Sequence, residues 1–231
     1  MTQLAGFEGG SAWAYLVRRP PAAEILQYLV AKWREYEQLY SGVGQPFAKR
    51  SEPDITEGLA AYLDAQCQAG HQPFHGEFFA ELRRFDLRPD GKREIIGRSD
   101  IEWRLSGSPN FIVEFKVIGG GRPAKAYVTD GMLRFVDGRY GHRSTEGAMW
   151  GFFRPGSTEV ASDVEAIIDA HVAPLRCQAE NGLHRIAPST IAPGTASFDS
   201  LHRRDPTAPA IRLAHVFITI APHPSPNAPG T

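Results

Sequence analysis

The chain has 231 residues with ordinary hydrophobic and charged fractions of 42% and 22%, which excludes disordered and fibrous classes and allows one large domain with a sizeable core. Its net charge of −1 excludes a global basic field, so a nucleic-acid partner would have to be met by a local patch. Cys67 and Cys177 stand far apart with no CxxC, and no leader-like or membrane-length apolar run is present, so a reducing, cytoplasmic setting without membrane contact is expected.

In chain order, Ala22–Tyr40 is the first segment with helical period. Ile25, Leu29, Trp33, Tyr36 and Tyr40 recur on one face after the Pro20–Pro21 start signal, a stripe that reads as core. A second helix is expected from about Pro53 to Gln68, with Leu59, Tyr62 and Leu63 as its apolar side. From Gly76 the period becomes strand-like. Segments 76–87, Arg93–Leu105 and Phe111–Ile118 are separated by the turn signals Pro89-Asp90-Gly91 and Ser106-Gly107-Ser108-Pro109, and predict a three-stranded antiparallel meander.

Gly119-Gly120-Gly121 reads as a flexible connection, since no Gly-Lys-Ser/Thr follows to make a P-loop. Lys125 to about Asp137 is helical, with Val128, Met132, Phe135 and Val136 on one side and Gly138 closing it. Ala148–Phe153 reads as a buried strand and Val160–Val172 as a helix. A Pro/Ser/Gly-containing stretch, 187–209, holds His202-Arg203-Arg204 as a solvated loop and leads to a last strand, Ile211–Ile220. Residues 221–231 are Pro-rich and read as a disordered tail. The expected fold is a single α/β domain of the α+β mixed-sheet type over 1–220. Its N-terminal helical part is 1–50, its core of order α-β-β-β-α-β is about 53–154, and its C-terminal extension is 155–220.

The strand Phe111–Ile118 carries the chemistry. It is apolar on both faces except at Glu114 and Lys116, which alternation places on one side with Ile112 and Ile118. A strand apolar on both faces is expected to be buried on both, and buried charges there need each other, further charges or a metal. If the preceding hairpin is centred on Gly107, Asp100 sits opposite Glu114; if on Ser108, Asp100 faces Lys116 and Glu102 faces Glu114. Either way, carboxylates converge with a lysine. Carboxylate oxygens suit Mg²⁺ or Mn²⁺, which can activate water at a phosphorus centre, and a nearby lysine can orient that water or stabilise developing charge. The competing reading is a structural ion pair. Glu102 reads as a solvated or supporting carboxylate. His71 and His75 lack further zinc ligands nearby.

Ser99-Asp100, a short hairpin and Glu114-Phe115-Lys116 in an α-β-β-β-α-β order resemble the PD-(D/E)XK nuclease superfamily, over roughly residues 53–154. Ser99 stands where the name has proline. The resemblance implies a restriction-endonuclease-like core in which Asp100 and Glu114 bind metal and Lys116 acts on the water. The superfamily often adds a glutamate from the preceding helix, and Glu57 is the best-placed match. Glu57 equally fits a capping box with Asp54 as N-cap. Lys125, Tyr127 and Arg134 lie in the helix that commonly touches nucleic acid, and Arg134, Arg139, His142 and Arg143 form the best local basic patch. The implied activity is Mg²⁺- or Mn²⁺-dependent hydrolysis of DNA phosphodiesters. No DNA-reading module is evident, so the chain is expected to borrow specificity as an effector subunit of a bacterial anti-phage defence or restriction system, with an ATPase or helicase partner. The alternative is an inactive nuclease-fold subunit that binds nucleic acid or serves as a scaffold. The sequence leaves self-association open.

Overall fold

The computed structural model describes residues 19–87, 93–205 and 207–222. The Pro89-Asp90-Gly91 turn and nearly all of the Pro-rich tail lie outside them. Helix α1 is Ala22–Tyr40, as its aromatic stripe predicts. Ile25, Leu29, Trp33 and Tyr36 are buried, while Tyr40 at the end of the stripe is exposed. A short 3₁₀ turn, Phe47–Lys49, precedes helix α2, Glu52–Gln68. Ser51 caps α2: its hydroxyl accepts from the Asp54 amide at 3.3 Å, and Asp54 accepts from the Ser51 amide at 3.1 Å. The capping box is therefore Ser51–Asp54, three residues earlier than the Asp54–Glu57 pairing expected, and it satisfies two of the helix's free amides.

Strands β1 (Glu77–Leu87), β2 (Arg93–Arg104) and β3 (Phe111–Ile118) form the antiparallel meander. A helical segment then begins at Lys125, widens to a π-helical turn over Tyr127–Met132 and closes as α3, Leu133–Val136. Strand β4, Glu146–Phe153, pairs parallel to β3. The order helix, three strands, helix, strand expected from the sequence is thus present.

Helix α4 is Ala161–Ala170, with Val164 and Ile168 buried. Two short strands follow, β5 (Cys177–Gln178) and β6 (Arg185–Ile186), and the 187–209 stretch read as loop holds a third, β7 (Phe198–His202), before β8 (Ile211–Thr219). The sheet has eight strands in the order β1-β2-β3-β4-β8-β7-β5, with β6 on β7. β4 and β8 are parallel, while β7 and β8 are antiparallel. The architecture is mixed α/β.

β3 lies inside the sheet, and its alternation decides which layer each residue enters. Phe111, Val113, Phe115 and Val117 join the core beneath α1 and α2. Ile112 and Ile118 join the core of the other face with Tyr127, Val128, Met132, Val164 and Ile168. No helix among the described residues is long and apolar enough to cross a membrane.

Candidate active site

The β2–β3 pairs are Trp103–Phe111, Glu102–Ile112 and Ile101–Val113, the register centred on Gly107. Beyond Ile101–Val113 the strands part: β2 stays paired with β1, and β3 with β4. The β3 amides that face the opened side are taken by carboxylates. Phe115 N donates to Asp100 Oδ2 at 2.7 Å, and Val117 N donates to Glu52 Oε2 at 3.1 Å. A buried backbone donor must find an acceptor. Here side chains supply it, and this pins two acids at the split.

Glu114 is fully buried. Its Oε1 accepts from Lys116 Nζ at 2.9 Å and from Arg134 Nη1 at 2.8 Å, while its Oε2 is buried without a hydrogen-bond partner. Burial and the neighbouring Asp100 charge push the Glu114 carboxyl up to about 8 against the pull of Lys116 and Arg134. Burial also raises Asp100. At neutral pH, then, the Asp100–Glu114 pair retains a proton.

Lys116 gives its three ammonium protons to three acceptors: Glu52 Oε1 at 2.8 Å, Glu114 Oε1 at 2.9 Å and the Phe115 carbonyl at 2.7 Å. Burial works to discharge it, but Glu114, Asp100 and Glu52 together hold its pKa above the ordinary lysine value. The π-helical turn brings Gly131 over this lysine. A β-carbon there would lie 2.4 Å from Met149 Cε and 3.6 Å from Lys116 Cε, so a larger residue would have to push the Met149 side chain aside.

The structure brings Asp100, Glu114, Lys116 and Arg134 together and leaves other expected members out. Glu57 is exposed and lines a separate hollow with Ala60, Ala61 and Asp64, because it sits on the far side of α2 from Lys116. The α2 glutamate at the site is Glu52. Its signal was Ser51-Glu52-Pro53-Asp54: reading Ser51 as the cap puts Glu52 in the first turn.

Tyr127 is not a surface residue. It is fully buried, and its hydroxyl lies 3.1 Å from the Met149 carbonyl and 2.8 Å from His215 Nδ1, so it cannot touch nucleic acid. Arg134 is half-buried and also donates to the Tyr140 hydroxyl at 2.7 Å; Tyr140 was not foreseen. Lys125 and Arg139 are exposed, Arg139 pairing with Asp137 at 3.2 Å. Glu102, expected in solvent or support, is fully buried and accepts from Ser99 Oγ, Arg104 Nε and Asn110 Nδ2. Its partners flank the β2–β3 turn, which it props.

Two buried acids, one with an unpartnered oxygen and a retained proton, fit a divalent cation between Asp100 and Glu114: an oxygen-only donor set of the kind Mg²⁺ and Mn²⁺ prefer. Among the described residues no three His, Cys, Asp or Glu side chains converge as a ready-made metal cage, because Glu52 is turned onto Lys116. No protein-family model, no curated protein and no solved structure matches the chain.

Proposed function

We propose that the chain is a divalent-metal-dependent nuclease of the PD-(D/E)XK type that hydrolyses phosphodiester bonds of DNA. The observation that carries this reading is the Glu114 carboxylate. It is fully buried, keeps one oxygen without a partner beside Asp100, and lies two residues from a charged lysine. A strand built only for stability gains nothing from such a group, since an unsatisfied buried carboxylate is costly.

Asp100 and Glu114 would hold Mg²⁺ or Mn²⁺, which supplies a Lewis acid and a more acidic bound water. The chain's own groups do the rest. Lys116, held protonated by Glu52 and the Asp100–Glu114 pair, cannot abstract a proton. It donates to the attacking water or to the non-bridging phosphate oxygens as charge builds there. Glu52 fixes that ammonium in place. Arg134, half-exposed beside Glu114, offers a second cation to the phosphate. The water oxygen bonds to phosphorus as its proton passes to solvent, the P–O bond to the leaving strand breaks, and the departing oxygen takes up a proton from solvent, so that one water is consumed for each bond cut.

The test is plasmid cleavage in Mg²⁺. The native chain nicks or cuts, while Glu114→Ala and Lys116→Ala keep the fold and lose cleavage; equal activity in variants and native chain overturns the reading. A second reading, an inactive nucleic-acid-binding or scaffold subunit, is favoured by the internal neutralisation of Glu114 Oε1 by Lys116 and Arg134. A calorimetric titration without divalent-cation heat selects it.

A further inference from the structure

Directly after β3 the chain makes a tight turn that the nuclease reading does not use. Gly119 and Arg122 form an isolated antiparallel bridge, with the Gly119 amide donating to the Arg122 carbonyl at 2.9 Å. The glycine run read as a flexible connection is therefore a defined hairpin tip. Gly119 and Gly120 have φ of +93° and +64°, in the left-handed region open to glycine. A β-carbon on Gly119 would fall 2.8 Å from Ser157 Oγ, and one on Gly120 would fall 3.0 Å from Arg154 Cδ. The tip packs that closely on the loop after β4.

Between tip and loop lies a hollow of about 460 Å³, lined by Gly119–Pro123 and Gly156–Glu159. Several of its polar groups are donors. Among the described residues, the Gly120 and Gly121 amides give no hydrogen bond to the protein. Ser157 and Thr158 add hydroxyls. Arg122 is half-exposed, and its one acidic neighbour among the described residues is Glu52, at 3.9 Å. Behind the tip, Arg154 spends its guanidinium on the Ala48 and Arg50 carbonyls and meets no acid among the described residues; burial and the Arg122 charge both lower its pKa. The one acid in the lining, Glu159, is held by the Ala124 amide through Oε1 at 2.9 Å. Around the hollow, then, two arginines stand against two glutamates, and each glutamate is already held by another donor: Glu52 by Lys116 and the Val117 amide, Glu159 by the Ala124 amide.

We propose that this hollow is a phosphate subsite, in which Arg122 and the Gly120 and Gly121 amides hold a backbone phosphate of the nucleic acid away from the bond that is cut. Arg122 suits the role because its fork can bind two phosphate oxygens at once. Gly119 follows Lys116 by three residues, on the order of 10 Å of strand. A nucleic-acid strand rising ~3.4 Å per nucleotide covers that in about three nucleotides. The subsite deepens the nuclease reading by stating how the substrate strand is gripped, and its test is separable from that of the cut itself.

The experiment is fluorescence anisotropy of labelled short DNA duplexes, with and without a 5′-phosphate, in Ca²⁺ over a salt series. Arg122→Gln weakens binding about tenfold and lowers the slope of log affinity against log salt by about one; Arg122→Glu weakens it further. Manganese binding, followed by calorimetry, is not weakened by either change, since each removes a positive charge near the site. Equal loss on both duplexes identifies an internal phosphate as the ligand, and loss confined to the 5′-phosphorylated duplex identifies a terminal one. Native-like affinity and salt slope in Arg122→Gln overturn the subsite, and so does a native chain that binds neither duplex. If binding depends on Arg122 while the native chain takes up no manganese and cuts nothing, the subsite stands and the nuclease reading falls.

Discussion

The Asp100 carboxylate accepts a hydrogen bond from the Phe115 amide at 2.7 Å, in the place a β2 carbonyl would occupy had the strands stayed paired past Ile101–Val113. One side chain thereby ends the ladder, holds the split open and fixes its own oxygens beside Glu114. Asp100→Asn keeps an oxygen for that amide but loses the charge. It is expected to fold normally, by circular dichroism and thermal melting, while cleavage in Mg²⁺ falls at least about 100-fold.

Lys116 compensates two buried or half-buried acids at once, Glu114 and Glu52. Removing one partner of a buried pair strands the other charge. Lys116→Ala is therefore expected to lose cleavage and to lower stability by about 3–5 kcal/mol, read from urea unfolding. Glu114→Gln removes charge and not bulk, and should cost less stability than Lys116→Ala while abolishing cleavage equally.

With the Glu114 carboxyl pushed up to about 8 by burial and by Asp100, the folded site holds a proton that a metal must displace. Manganese affinity is therefore expected to rise with pH by about tenfold per unit below 8 and to level off above it. Calorimetry in buffers of different ionisation heat reads the released proton; an affinity flat from pH 6 to 8 contradicts the coupling.

Helix α1, β3 and the meander were legible because each carries a clean period between strong turn signals, and hairpin arithmetic left only two registers for Asp100. The site was less legible where a helix start decided it. A cap placed three residues late exchanged Glu52 for Glu57, since Asp54 suits both the N-cap and the N3 position of a box. Tyr127 looked like a surface aromatic because the π-helical turn, which shifts the facing of residues 127–132, leaves no trace in a 3.6-residue period. His202 and Arg204 looked like part of a polar loop, yet both are buried. Arg204 donates to the Gly141 and Tyr140 carbonyls, partners more than sixty residues away that no local pattern records.

Glu52 and Glu57 give a direct comparison on one helix. Glu52→Gln loosens the Lys116 ammonium and is expected to slow cleavage about 10- to 100-fold. Glu57→Gln, exposed and remote from Lys116, should cleave like the native chain. Equal effects of the two changes contradict the placement.

Away from the site, Tyr127, His215, Ser200 and His202 form a buried chain of contacts of 2.6–2.8 Å that ends on the Leu175 carbonyl. Every link is satisfied with both imidazoles neutral. Burial pushes His202 down to about 4 and His215 well below the ordinary histidine value. A lowered histidine makes the unfolded chain the better proton binder between about 4 and 6.5. Stability is thus full above 6.5 and falls as the pH drops towards 4, by about 3 kcal/mol for His202 alone. Urea midpoints at pH 7 and pH 5 should show this loss, and His202→Gln should flatten it.

The central claim is that Asp100 and Glu114 hold one cation between them. Anomalous diffraction from a crystal soaked in Mn²⁺ tests it most directly: the account predicts a single manganese peak coordinated by oxygens of both residues. An empty split at saturating Mn²⁺, or manganese bound elsewhere with the Asp100–Glu114 pair unchanged, would contradict it.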